Sequence, residues 1–384
     1  MKNWWIFEDI NAADILISVA CIFCAWFLCR KIQLFGKKFF WFFSALCTIH
    51  YLLTPYNALG ANDSIIYYSH ASELSGFVLD QQGVFVESVT WMLIHYLKLS
   101  FLGCSFFFSL IGLLGWYFFV LVLIGISKHW SKWFLILLLP ELHYWTCFLG
   151  KDSLIFFSIC AIVYIWYFQK SFLYYIIPCI IIGYIRAPVL LVVLAAFALN
   201  YLFQSKIHFT RKILLGVLSL VAISIFLPMA VEQTRMEEFD MENVEDYISR
   251  NERYHQDEEF GSSVDMQDQP IYVKMFAYQF RPLFYDAKGA LQLEASFENA
   301  CWLLLFMLIC FRFKRRYILW FPFLAYIALW VSQSLGLNNL GIAMRQKMMF
   351  FPFFITLFFQ TLYDSKQRIQ SRIKRRSLRI GTND

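Results

Sequence analysis

The chain has 384 residues, of which 60% are hydrophobic, 20% aromatic and 16% charged. A soluble domain of this length would carry about 25% charged and about 45–50% apolar residues, so a soluble enzyme is excluded as the natural reading. The formal charge of +6 is no sign of nucleic-acid binding, because the bases sit in short clusters and the acids in one long stretch, a pattern that orients a membrane protein.

In chain order, apolar runs occupy residues 12–29, 39–54, 101–126, 133–149, 154–168, 172–203, 213–230, 300–311, 317–335 and 348–362. A spanning helix needs about 20 apolar residues. Residues 1–10 contain Trp4, Trp5, Glu8 and Asp9 in place of a basic leader region, so no cleaved signal peptide is expected. The run 172–203 is too long for one helix. Arg186-Ala187-Pro188 interrupts it, and it reads as two helices or half-helices meeting at that break, since proline removes a backbone donor and arginine is costly in lipid. Cys21 and Cys24 have a redox or metal spacing but lie inside an apolar run without a second pair, so they read as packing.

Basic clusters follow the runs: Arg30, Lys31, Lys37 and Lys38; Lys128 and Lys132; Lys206, Arg211 and Lys212; Arg312, Lys314, Arg315 and Arg316; and a tail from Lys366 to Arg379. Placing them in the cytoplasm puts the N-terminus outside and the C-terminus inside, which requires an odd number of crossings. Eleven crossings result if 172–203 crosses twice. The predicted fold is therefore an all-α polytopic bundle, one integral membrane domain over residues 1–384. It has a first outer loop at 56–100, an acidic outer loop at 231–299 and a basic cytoplasmic tail at 364–384.

The scheme requires that residues 84–98 not cross. Glu87, Ser88, Thr90, His95 and Lys98 fall in one arc of a helical wheel, which suits a helix lying along the outer surface. The alternative is a short spanning helix with its polar face inward. In the acidic loop, residues 232–268 hold thirteen acidic and three basic side chains. Met236, Phe239, Val244, Tyr247 and Ile248 recur there at near-helical spacing, predicting an amphipathic helix over the outer mouth, followed by a flexible turn at Gly261-Ser262-Ser263.

With this topology six polar segments converge on the outer face. They carry Asp63; Glu141 and His143; Lys151 and Asp152; Arg186; Arg281; and Arg345 with Lys347. Basic residues outside break the positive-inside pattern, and an anion bound at the outer leaflet explains the exception. The guanidinium fork fits diphosphate oxygens. No Walker loop, HExxH, GxSxG or GxGxxG motif occurs, and no metal site or cofactor is expected.

The segments Pro140-Glu-Leu-His-Tyr-Trp145, Gly150-Lys-Asp-Ser153, Ile185-Arg-Ala-Pro188, Phe280-Arg-Pro-Leu283 and Asn339-Leu-Gly-Ile-Ala-Met-Arg-Gln-Lys347 resemble those of Wzy-like and EpsG-like oligosaccharide repeat-unit polymerases. These belong to bacterial surface-polysaccharide clusters and are distantly similar to GT-C glycosyltransferases. The resemblance spans residues 63–352. It implies a multi-pass protein of the bacterial cytoplasmic membrane that polymerises undecaprenyl-diphosphate-linked oligosaccharides (O-antigen, capsule or exopolysaccharide) at the outer face. Its expected partners are that lipid-linked substrate, membrane lipid, a chain-length regulator and a flippase, without nucleic acid. Asp63 matches the acidic residue of the first outer loop that serves as base in GT-C enzymes, where many members have a pair. Asp63 or Glu141 would take the acceptor proton, and Lys151, Arg186, Arg281 and Arg345 would stabilise the leaving diphosphate. A transporter or flippase of lipid-linked sugars would be expected to show two related halves, and none are seen. A membrane acyltransferase would need a histidine-centred site, for which His143 is the candidate.

Overall fold

The computed structural model describes residues 8–60, 62–203, 209–236, 240–254, 262–287, 289–312 and 318–363. The tail 364–384, Lys206, Lys314, Arg315, Arg316, Phe239 and Gly261 lie outside them. The described residues form a helical bundle without a named strand: α1 (Ala12–Gln33), α2 (Lys37–Ala58), α3 (Asn62–Glu73), α4 (Gly83–Leu97), α5 (Phe101–Ser127), α6 (Pro140–Tyr144), α7 (Lys151–Tyr167), α8 (Ile176–Phe203), α9 (Phe209–Thr234), α10 (Met241–Tyr254), α11 (Ile271–Phe280), α12 (Ala290–Arg312), α13 (Trp320–Ser334), α14 (Leu340–Gln346) and α15 (Phe351–Tyr363).

Among the described residues four helical segments are long and apolar enough to cross a membrane: Ala12–Gln33, Phe101–Ser127, Phe172–Tyr201 and Gln292–Arg312. The pair Leu340–Met349 and Phe351–Tyr363, bent by 63°, would make a fifth. One face of α1 exposes Ile15, Leu16, Val19, Ile22 and Phe23, as a lipid-facing helix should. Its start is tied down by a capping box. Asn11 Oδ1 accepts from the amides of Ala13 and Asp14, and Asp14 Oδ2 accepts from the Asn11 amide at 2.9 Å. The other Asp14 oxygen accepts from the Ser100 amide at 2.9 Å, fixing α1 to the α4–α5 turn.

At the centre α5 packs along α7. Gly112 faces the Thr146 carbonyl and Gly115 faces the Phe157 backbone; a Cβ at either would collide. Small residues thus permit backbone approach where lipid offers no hydrophobic drive.

The break in α8 is real and sharp. Arg186 leaves helical geometry at φ −150°, ψ 73°. A straight helix would separate residues 175 and 197 by about 33 Å at 1.5 Å per residue, yet the rings of Tyr175 and Phe197 lie 5.4 Å apart. The segment is a helical hairpin with Arg186 at its tip, although by length and composition alone it passes as one span. The tip's freed backbone groups are satisfied by α9. Gln233 Oε1 accepts from the Ala187 amide at 2.7 Å, and its Nε2 donates to the Gly183 and Tyr184 carbonyls at 3.1 and 3.0 Å. From the segment before α4, the Gln82 amide donates to the Tyr184 carbonyl at 2.7 Å.

Three local expectations change. The apolar run 133–149 is not one helix: a tight 3-10 segment, Lys132–Leu138, gives way to the short α6 at Pro140. Proline is well suited to a helix's first turn but cannot continue a preceding one. The helix expected at 84–98 is present as α4, but Glu87, Ser88 and Thr90 are its buried face. His70 Nδ1 of α3 lies 3.1 Å from Glu87, and Ser88 Oγ bonds both the amide and the carbonyl of Val78. Ser262 and Ser263 are not a free turn. Ser263 bridges Asn339, the Leu340 amide donates to the Ser262 carbonyl at 2.9 Å, and the Val264 amide donates to the Asn338 carbonyl at 2.8 Å. The expected amphipathic helix is α10, which carries Val244, Tyr247 and Ile248.

Candidate functional site

The centre of the site is Arg345. Asn339 caps α14, accepting on Oδ1 from the amides of Gly341 and Ile342 and from Ser262 Oγ. The helix so fixed aims Arg345 at two acids from distant parts of the chain. Its Nε donates to Asp152 Oδ2 at 2.6 Å and its Nη1 to Asp63 Oδ2 at 2.5 Å. Its guanidinium also lies over the Trp145 ring, 5.8 Å from the centroid. Asp152 is buried in the first turn of α7, whereas the Asp63 side chain is 49% exposed at the start of α3.

Two further cations join this group. Lys151 Nζ stands 5.8 Å from the centroid of the Tyr67 ring. Arg186, at the hairpin tip, lies within electrostatic reach of Asp152, Arg345, Tyr278 and Tyr247. The last of these belongs to α10 and brings that helix over the tip. Among the described residues Arg186 reaches Met349, from Nη1 to Sδ at 3.8 Å. Among the described residues neither Lys151 nor Arg186 forms an ion pair. Three cations therefore face two carboxylates, both carboxylates taken by Arg345. The α7 N-terminus opens into the same place, with Gly150 as cap and no side chain bonding the first amides. Free amides and the helix dipole favour an anion there. Burial pushes the Tyr67 phenol up to about 12; Arg345 and Arg186 act against that shift, and Asp63 and Asp152 act with it. Tyr67 thus presents a neutral hydroxyl.

A second cluster lies on the other side of α14. Lys347 is buried, and its Nζ donates to Asn299 Oδ1 at 2.7 Å and to the Arg281 carbonyl at 3.3 Å. Glu298, also buried, accepts from the Glu141 amide at 3.0 Å. A small cavity of about 20 Å³ between Glu141, Gln279, Trp302 and Lys347 has room for a single water. Arg281 is engaged elsewhere: Nε and Nη2 fork onto Asp286 at 3.1 and 2.5 Å. The bonds to Asp286 hold the Arg281 guanidinium above its ordinary range. Burial alone would raise the Asp286 carboxyl, but Arg281 and the Leu283 amide outweigh it and keep it below the usual range.

His143 is fully buried apart from both clusters. Its Nδ1 meets His50 Nδ1 at 3.3 Å, its Nε2 faces the Leu137 carbonyl at 2.8 Å, and Trp116 stacks on it at 4.6 Å. Among the described residues no three His, Cys, Asp or Glu side chains are arranged to hold a metal ion.

The fold thus gathers Asp63, Lys151, Arg186 and Arg345 at one place and leaves Glu141, His143 and Arg281 outside it. Sequence reasoning placed Asp152 and Lys347 among the converging segments without giving either a role in the site, and gave none to Tyr67, Gln233, Glu298 or His50. The polar pair Glu298-Asn299 at the head of an apolar run carried a readable signal, because ionisable groups in apolar helices are expensive to keep. No family model, curated protein or solved structure matches the chain.

Proposed function

We propose that this protein is a glycosyltransferase that polymerises lipid-diphosphate-linked oligosaccharide repeat units at the outer face of a bacterial cytoplasmic membrane. The observation that carries the reading is the charge balance of the site. Among the described residues Lys151 and Arg186 have no ion-paired acid, and they sit with Arg345 at the open N-terminus of α7. That is a site with one net positive charge, suited to an anion, next to a half-exposed carboxylate able to accept a proton.

In this scheme the diphosphate of the donor lies among Lys151, Arg186 and the α7 amides. It competes with Asp63 for Arg345, and Asp63 is released to act as base. The acceptor hydroxyl oxygen attacks the anomeric carbon and passes its proton to Asp63. The bond from that carbon to the diphosphate oxygen breaks, and the lipid diphosphate leaves with the electron pair, its charge met by the three cations. The half-buried Arg281–Asp286 fork holds the loop after α11 and takes no part in the charge transfer. The basic clusters favour eleven crossings, with the N-terminus and residues 231–299 outside and the tail inside. The resemblance in motifs favours polymerisation over transport, and the enclosure of His143 counts against acyl transfer.

Full-length protein reconstituted with undecaprenyl-diphosphate-linked oligosaccharide is expected to yield a ladder of longer glycans. Deletion of the gene is expected to leave single repeat units on lipid. Persistence of long polymer in a strain without a paralogue overturns the reading. A repeat unit trapped on the inner leaflet would indicate a transporter, and full-length polymer lacking a substituent would indicate an acyltransferase.

A further inference from the structure

The hairpin of α8 and its neighbour α9 enclose an apolar cavity of about 220 Å³, lined by residues including Ile162, Ile176, Cys179, Leu194, Phe197 and Ala222. Its position relative to the cations is regular. Ile162 follows Lys151 on α7, Ile176 precedes and Phe197 follows Arg186 on α8, and Ala222 precedes Gln233 on α9. Each separation is about ten residues, or roughly 15 Å along a helix. The groove and the cationic site are therefore two levels of the same helices. On the outer arm Ile176, Ile177 and Ile180 are 45%, 66% and 44% exposed, so the groove opens on the lipid-facing side.

We propose that this groove holds the hydrocarbon tail of the lipid whose diphosphate sits at Lys151 and Arg186. The inference rests on the proposed headgroup site and adds to it the path of the chain below. An amphiphile with an anionic head and an apolar stem of that reach matches both levels at once. A phospholipid tail filling the groove by chance has no reason to depend on Arg186. The Phe226 ring, at the groove wall, lies where a side chain at Gly183 would go, so the wall just under the tip is closed by packing and the chain enters from the membrane side.

The test uses the full chain in phospholipid nanodiscs and farnesyl diphosphate carrying a photoreactive diazirine at the tail end. Adducts are expected on the peptides containing Cys179 and Ala222. They should fall about tenfold, the equivalent of about 1.4 kcal/mol, in both Arg186→Ala and Leu194→Trp, and excess inorganic diphosphate should compete. Slower alkylation of Cys179 by N-ethylmaleimide in the presence of farnesyl diphosphate provides the same readout without any substitution. Adducts mapping outside the groove, or equal labelling by a diazirine phosphatidylcholine that diphosphate does not compete, overturn the inference. A thermal shift with inorganic diphosphate, abolished by Arg186→Ala, reports on the headgroup site alone. If that shift occurs while adducts fall elsewhere, the groove assignment fails and the polymerase reading stands. If neither occurs, both fall.

Discussion

Arg345 and Lys347 are two residues apart, yet they serve opposite kinds of environment. The side of α14 bearing Lys347 faces a cluster in which each cation is held by hydrogen bonds: Lys347 by Asn299 and the Arg281 carbonyl, near Glu141 and Glu298, and Arg281 by Asp286. The side bearing Arg345 faces a cluster with cations to spare, half open at Asp63. Where a charged group is held by partners away from water, removing one member strands the others. Unmatched charge at an open helix end is costly to keep, and a ligand relieves that cost. On the proposed function the difference separates a structural cluster from a binding one using residues of the same chemical kind.

The comparison can be broken most directly at Arg186. Arg186→Ala is expected to lower turnover about 10²- to 10³-fold with little change in thermal unfolding. Lysine should restore only part, because it lacks the fork. A loss of fold equal to the loss of activity would place Arg186 with the structural charges. Asp63→Asn is expected to cost about 10²-fold in turnover, the lower range for a lost general base, with substrate binding retained. Unchanged turnover would move the base elsewhere.

On the other side of α14 the expected effect lies in stability. Lys347→Met should destabilise by about 3 kcal/mol, the order found when one partner of a buried charged group is removed, as measured by thermal unfolding in detergent. If Lys347→Met keeps its stability but loses diphosphate binding, the two clusters are one site. The smallest effect concerns pH. The folded-state pKa of Asp286 is lowered, so its stabilisation is present above the unfolded value of about 3.9 and is lost as pH falls through the folded value. Unfolding scans toward acid should show wild type losing this increment and Asp286→Asn lacking it at every pH.

The break at Arg186 was legible because an arginine and a proline in a long apolar run leave few structures open to the backbone. The candidate cations were legible for the same energetic reason. Their partners were not, because Arg345 meets acids 193 and 282 positions away, and no local pattern encodes such pairings. Arg281 looked equivalent to Arg186 in sequence, each lying one or two residues from a proline. What separates them is Asp286, five residues on, which a loop can bring back and a membrane hairpin has no means to supply. The run 133–149 misled because apolar composition is the same for a spanning helix and for a half-buried 3-10 segment turning into α6. The polar arc expected on α4 divides in the structure, with Glu87, Ser88 and Thr90 buried and Lys98 exposed, and the buried part is set by the packing of α3, which no local pattern encodes.

Gln233 makes three hydrogen bonds to the hairpin tip, and its own carbonyl accepts from Gln82 Nε2 at 3.2 Å. A bracket of this kind fixes the backbone under Arg186 before any ligand arrives. The conformational entropy of ordering that backbone is then lost once, during folding, and not again at each encounter. An arginine on a swinging loop would carry the same charge but would surrender part of its attraction to becoming still. If the proposed anion binds at Arg186, the glutamine gives affinity to a neighbour it does not resemble, and its effect would be seen as a slower departure of the ligand with arrival rates little altered.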